Sequence, residues 1–210
     1  MYNILAEQDR RKYFELENYL SPISGYPERN VEWFKQTILP DAIDTFKNKN
    51  TLLDVGCAHG YFTALFKDNF KNIIGVDFVE NRINFAKSFF KFPNISFYCA
   101  DITNFNNDVK FDAIFTSMAI QHISKKDKIK AFANLHKIAS DDCIFLMYDF
   151  DTKKEDVSED FMGPISKIWI DKNLSDIWTC ESCEPFVKEA QCTNCGEQCE
   201  IIHKYILRKI

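Results

Sequence analysis

The stretch "LLDVGCAHGYFTALF", Leu52 to Phe66, constrains the fold more than any other part of the chain. An apolar run ends on a carboxylate, two glycines come next, and a helix-like pattern begins at once. A strand that stops at Asp54-Val55-Gly56-Cys57-Ala58-His59-Gly60 reads as the first strand-to-helix turn of a parallel sheet. Glycine at such a turn lets a ligand approach the backbone without meeting a Cβ atom.

Beyond residue 70 the chain repeats this alternation. "NIIGVD", "NISFYCAD", "FDAIFTSM" and "DDCIFLMYDF" read as strands. "ENRINFAKSFFK" and "SKKDKIKAFANLHKIA" place their apolar residues at helical spacing. Strands separated by helices require a sheet covered on both faces. The closing "EIIHKYILRK" is β-branched and aromatic with no helix after it, which suggests an antiparallel finish. The expected fold is therefore α/β and doubly wound: a mostly parallel sheet with an antiparallel final strand and helices on both faces. A length of 210 residues allows one domain (1–210), with an N-terminal helical cap (1–48) and a small Cys-rich insertion (178–200). The cap is read from Tyr13, Leu16 and Leu20 on one face of a first helix, and Val31, Phe34, Ile38 and Leu39 on a second.

Bulk charge narrows the partners. A net charge of −5 carries no basic stripe, so nucleic acid is not expected as a partner. No apolar run approaches the length of a bilayer span, and the N-terminus lacks a signal-peptide core. A cytoplasmic protein with no membrane partner is the expectation. Oligomeric state is not legible.

Ligands of doubly wound sheets sit beyond the carboxyl ends of the strands. Asp77 ends the second strand, where an acidic residue can accept hydrogen bonds from both ribose hydroxyls of an adenosine. NAD and S-adenosylmethionine both meet that requirement. The run Gly56-Cys57-Ala58-His59-Gly60 lacks the full G-x-G-x-x-G spacing that cradles a pyrophosphate. Asp54 before the turn would repel a diphosphate and welcome a cation. Asp101 after the third strand suits an adenine amino group. Three carboxylates at three consecutive strand ends match a cationic sulfonium joined to adenosine better than a dinucleotide.

The segment from about Leu52 to Phe150 resembles the class I S-adenosylmethionine-dependent methyltransferase family. "LLDVGCAHG", "IIGVDFVENRINFAK", "ISFYCADI" and "FDAIFTSMAIQHI" resemble its first four motifs in order, and the closing strand its antiparallel seventh. Ala58 departs from the usual middle glycine. The resemblance implies that Gly56, Cys57, Ala58 and Gly60 pass beneath the methionine moiety, with Asp54 near its amino group. It implies that Asp77 holds the ribose, Phe78 packs on adenine, Asp101 and Ile102 bracket the ring, and Ser117 sits beside the reacting methyl.

Methyl transfer from a sulfonium is an in-line displacement, so alignment and exclusion of water matter most. A base is required only where the nucleophile must lose a proton. His122, in "SMAIQHIS", is the candidate, against a structural role at the start of the next helix. His59, His136 and His203 read as structural. "SMAIQHI" is unlike the Asn/Asp-Pro-Pro-Tyr motif of enzymes that methylate DNA amino groups. A small-molecule acceptor is expected. An RNA or protein methyltransferase that docks through its cysteines, and a non-catalytic cofactor-binding module, are the rivals.

"CESCEPFVKEAQCTNCGEQC" pairs Cys180-x2-Cys183 with Cys192-x2-Cys195. Four thiolates at this spacing can hold one tetrahedral, structural Zn2+. The gap between the pairs is short for a zinc ribbon. An iron–sulfur cluster and metal-free thiols are the alternatives.

Overall fold

The computed structural model describes residues 27–150, 165–187 and 202–210. The first N-terminal helix read from the sequence, around Tyr13 to Leu20, lies outside them. Seven strands form one sheet in the order β3-β2-β1-β4-β5-β7-β6. They are β1 (Thr51–Val55), β2 (Asn72–Asp77), β3 (Ile95–Cys99), β4 (Phe111–Ser117), β5 (Ala139–Phe150), β6 (Trp178–Val187) and β7 (Ile202–Lys209). The pairs from β3 to β5 are all parallel, and β7 runs antiparallel to both β5 and β6. The doubly wound architecture with its antiparallel final strand is thus present as expected.

The apolar runs become central strands because both of their faces are covered. On one face, α1 (Pro27–Gln36), α2 (Ile38–Thr45), α3 (Tyr61–Leu65) and α4 (Glu80–Phe89) contribute to a core of Phe34, Ile38, Ala42, Ile83 and Ala86 against Leu52, Ile73, Phe115 and Leu146. On the other, α5 (Lys125–Ile138) and α6 (Lys167–Leu174) bring Phe132, Leu135, Ile138, Ile170 and Leu174 onto Leu53, Ile114, Phe145 and Met147. Burying side chains of this size contributes roughly 2 kcal/mol each. Ser124 starts α5 by accepting a hydrogen bond from the Asp127 amide through its side chain. Among the described residues, no helix is long and apolar enough to cross a membrane.

Three local readings are revised. The helix expected after β1 as far as Asn69 is α for only five residues; Phe66 and Lys67 then donate to the carbonyls three residues back, at 3.2 and 3.3 Å, and tighten the turn. The second helix, read as starting after Asn30, begins at Pro27 and restarts at Ile38. Pro40 falls in the first turn of α2, where its missing N–H leaves no bond unmade. The Cys-rich insertion expected over 178–200 begins inside the sheet, since residues 178–187 are β6. Its cysteines and glutamates mask a strand interrupted by register shifts between Cys180 and Ser182 and between Pro185 and Val187. A proline is tolerated there because β6 is an edge strand.

Candidate functional site

Chain order reverses at β1. From it the chain runs outward through β2 and β3, then returns to β4 and β5 on the other side. A crevice opens where two such runs diverge, above the carboxyl ends of β1 and β4. Both loops there are conformationally demanding. After β1, Gly56, Ala58 and Gly60 all take positive φ, at 75°, 49° and 79°. After β4, Met118 does so at 57°. Left-handed backbone at a residue with a Cβ costs on the order of 1–2 kcal/mol. Two such residues facing one crevice mark a shape held by its surroundings.

Hydrogen bonds hold the first loop. The amides of Gly56 and Cys57 both donate to the Val76 carbonyl, at 2.8 and 3.1 Å, and Gly60 donates to the Cys57 carbonyl. Glycine is required at two points for space as well. A Cβ on Gly56 would lie 2.4 Å from that of Ala119 in the β4 loop, and one on Gly60 would lie 2.7 Å from the Phe97 ring. The two loops therefore touch across the switch point.

Asp77 joins the parts. One carboxylate oxygen accepts from the Ala58 amide at 3.0 Å and the other from the Val79 amide at 2.9 Å. Only 6% exposed, it braces the glycine turn against the start of α4. Asp54 is buried on β1, where Thr63 Oγ1 donates to it at 2.5 Å. Burial is the main cause that lifts its pKa from 3.8 to about 7; Thr63 opposes the rise and the charge of Asp77 adds to it. Asp101 accepts from both the amide and the hydroxyl of Thr103, at 3.0 and 2.8 Å, just beyond β3. The three carboxylates thus fall at or just past the ends of three neighbouring strands.

Each of the other expected residues has a distinct setting. Phe78 is 37% exposed beside Asp77 and offers an aromatic surface at the crevice. Cys57 is buried, and burial together with the Asp54 and Asp77 charges pushes its thiol well above the usual range. Ile102 belongs to the core with Val55, Val76 and Phe105. Ser117 is half-buried at the end of β4. His122 closes the short 3-10 turn Ile120–His122, where its amide donates to the Ala119 carbonyl at 3.0 Å. Its Nδ1 is shielded from solvent. His59 stands edge-on to Phe85; burial first, and then the charge of Arg82, lower its pKa. His136 is half-buried rather than in the core; its Nε2 donates to the Ile210 carbonyl at 3.3 Å and its ring stands edge-on to Trp178.

Three residues were not singled out from the sequence. Thr63 shows no motif, only a hydroxyl one turn into α3. Met118 carries no sequence signal for its backbone. Asp149 is fully buried near the end of β5 and accepts from the Gln121 amide at 3.1 Å, which pins the β4 loop. A carboxylate inside the apolar run "LMYDF" was its available signal.

The metal expectation divides. Cys180 and Cys183 lie on β6, while Cys192 and Cys195 lie outside the described residues. Among the described residues, no group of three or more His, Cys, Asp or Glu side chains gathers to hold an ion. Two surface hollows, of about 210 Å³ around Phe46 and Phe70 and about 450 Å³ around Asn72 and Tyr98, lie away from the glycine turn.

Residues 52–142 match the family model described as a methyltransferase domain. The chain is 25% identical over 130 residues to a malonyl-[acyl-carrier protein] O-methyltransferase of Acetivibrio thermocellus, across 55% of this chain and 46% of that protein. Among solved structures, it superposes on the PH0226 protein of Pyrococcus horikoshii with a TM-score of 0.71 and 18% identity, covering 93% of this chain and 99% of that one. The N-methyltransferase NodS of Bradyrhizobium japonicum, solved with S-adenosyl-L-homocysteine, gives 0.65 and 18% over 90% of each chain. These identities establish a shared fold. With the strand order, they give the chain the fold of the class I S-adenosylmethionine-dependent methyltransferases, and residues 52–142 match a methyltransferase domain within it. It spans less than half the length of the curated relatives it matches.

Proposed function

We propose that the protein binds S-adenosylmethionine at the β1–β4 crevice and transfers its methyl group to a small-molecule acceptor. The observation that carries this reading is the row of carboxylates at β1, β2 and β3 beside a backbone turn with no room for side chains. The residues fit the cofactor. Asp77, held by two amides, keeps lone pairs for the ribose hydroxyls, and the exposed face of Phe78 suits stacking on adenine. Asp101 and Ile102 flank the position for the adenine edge. Gly56, Cys57, Ala58 and Gly60 provide a backbone floor, and Ser117 and Asp54 stand at the methionine end.

When bound, the cofactor supplies an electrophilic methyl. The chain's own contribution is alignment and dryness. Asp149 and the Tyr148 carbonyl, which accepts from the Met118 amide at 2.8 Å, fix the loop that would face the acceptor. His122 would take the proton from an acceptor that must lose one.

The acceptor class is supported by the relatives' names, which include a malonyl-[acyl-carrier protein] O-methyltransferase and a juvenile hormone acid O-methyltransferase, and by the net charge of −5, which carries no basic stripe. A structural Zn2+ held by the C-terminal thiols accompanies this reading, as does a cytoplasmic location. Calorimetric titration with S-adenosylmethionine and S-adenosyl-L-homocysteine is the test. Micromolar binding that Asp77→Ala weakens at least tenfold is expected, whereas no heat with either compound would remove the proposal. A His122→Asn variant that loses turnover and the acidic limb of its pH–rate profile, yet keeps cofactor affinity, would assign the base.

A further inference from the structure

Thr63 carries a hydroxyl at a position where packing alone would accept a methyl. It lies in α3 and is fully buried, a setting in which a hydroxyl destabilises the fold unless it is bonded. A threonine within a helix can return that bond to the carbonyl four residues back. Thr45 of α2 does so, donating to the Asp41 carbonyl at 2.8 Å. Thr63 instead donates out of its helix to β1, reaching Oδ2 of Asp54 at 2.5 Å.

Asp54 is a demanding partner to keep there. Its neighbours in the sheet are Gly75 on β2 and Phe115 on β4, and neither offers it a polar side chain. The ionisable groups electrostatically linked to it are Asp77 at the end of β2, a like charge, and the Cys57 thiol in the glycine turn, which burial keeps protonated. Among the described residues no cation pairs with the carboxylate, and no hydrogen-bond donor besides Thr63 reaches it. A buried charge without a counter-charge weakens the ligand-free fold. A simple tie between α3 and β1 would need only a hydroxyl and a neutral acceptor. The carboxylate has a use if its counter-charge arrives with a ligand.

We propose that Thr63 is a positioning residue for the amino-acid end of the cofactor, holding Oδ2 of Asp54 so that Oδ1 meets the ligand's ammonium group. The inference deepens the S-adenosylmethionine reading above and rests on it. One donor on one oxygen fixes the rotation of the carboxylate and leaves the lone pairs of the other oxygen for the ligand. A hydroxyl both donates and accepts, so Thr63 stays bonded whether Asp54 is protonated before binding or ionised after it. A carboxylate aimed in advance loses no rotamer freedom when the ligand arrives. The consequence is selectivity: the site should separate adenosyl ligands by whether they carry the ammonium.

The experiment titrates the full chain at neutral pH with S-adenosyl-L-homocysteine and with its des-amino analogue, which keeps the carboxylate and lacks only the ammonium. Thr63→Val preserves the shape and removes the hydroxyl. It should weaken S-adenosyl-L-homocysteine at least about tenfold, as expected for one hydrogen bond to a charged group, and leave the des-amino analogue within about twofold of the parent. Thr63→Ser should recover affinity to within about threefold. A merely structural tie would weaken both ligands alike; that result, or a Thr63→Val chain that binds S-adenosyl-L-homocysteine like the parent, overturns the proposal. A parent chain that binds neither ligand removes the cofactor reading itself and this inference with it. Where Thr63→Val does not fold, proton NMR of the parent chain decides. The Thr63 hydroxyl resonance should move on adding S-adenosyl-L-homocysteine and hold still with the des-amino analogue, and a resonance that ignores both ligands overturns the role of Thr63.

Discussion

Asp54→Asn isolates the one buried charge at this site whose energetics can be worked from the structure. The carboxyl is 3% exposed and its pKa lies at about 7 instead of 3.8, chiefly because burial disfavours its charged form. That difference corresponds to about 4 kcal/mol. The folded chain holds this proton more tightly than the unfolded chain does. The group's stabilising contribution is therefore fully present below pH 3.8 and is lost as pH rises through about 7. Above that pH the ligand-free protein carries the whole cost of an ionised Asp54.

Asparagine keeps the shape and removes the titration. It weakens the 2.5 Å bond from Thr63, a loss of about 1 kcal/mol. At pH 8.5 the ligand-free variant should be the more stable by about 3 kcal/mol, a gain of roughly 6–12 °C in Tm for a chain of this size. Near pH 5 the wild-type carboxyl is mostly protonated and the gap should shrink below about 1 kcal/mol. Melting curves at both pH values, without ligand, supply the measurement. Binding gives the converse: a ligand ammonium beside Asp54 lowers its pKa, so wild-type chain near pH 7 should release a proton on binding and the variant should not. Calorimetry in buffers of different ionisation enthalpy reads that proton. Parallel pH dependence of Tm in the two chains between pH 5 and 8.5 would refute the reasoning.

Two further substitutions test the frame around the site. Gly60→Ala places a Cβ on left-handed backbone at φ 79° and 2.7 Å from the buried Phe97 ring, and should cost about 3 kcal/mol and most cofactor affinity; a Tm within 2 °C of wild type would contradict the close approach. Tyr148 is fully buried and its hydroxyl donates to Asp41, which is also held by Lys204 Nζ at 2.8 Å; burial, with Asp41 beside it, pushes the phenol well above its usual range. Tyr148→Phe should lose about 2 kcal/mol, seen as a fall of roughly 4–8 °C in Tm, and an unchanged Tm would show that the bond contributes nothing.

The parallel sheet was legible because its strands are buried on both faces, which forces continuous apolar runs such as "TLLDV" and "DAIFTS" that few other elements share. The glycine turn was legible because only glycine satisfies both the positive φ of Gly56 and its approach to Ala119. β6 was not. An edge strand with a proline and two register shifts has neither period two nor an apolar run, and its cysteines pointed to a metal-binding insertion. The left-handed backbone of Met118 and the grip of Asp149 on Gln121 arise from packing between β4 and β5 and leave no local pattern. The contact between His203 and Cys183 left no signal because the pairing of two strands makes it, across a distance along the chain that spacing rules do not cross.

The arrangement also explains how one sheet can serve two tasks that pull against each other. Cofactor binding requires charged groups that stay fixed, and here they are fixed by backbone: Asp77 is held by the amides of Ala58 and Val79, and Asp101 by that of Thr103. Such anchors do not depend on what covers the crevice. The proposed acceptor side is fixed differently, from the antiparallel end. The β4 loop hangs on Tyr148 and Asp149 of β5; Tyr148 binds Asp41 of α2, which also binds Lys204 of β7. A change in β7 or α2 can therefore reach the β4 loop through the buried Tyr148 side chain without disturbing the carboxylate row. Acceptor choice and cofactor affinity should then vary independently, with substitutions at Lys204 or Asp41 acting on acceptor KM and those at Asp77 acting on cofactor Kd.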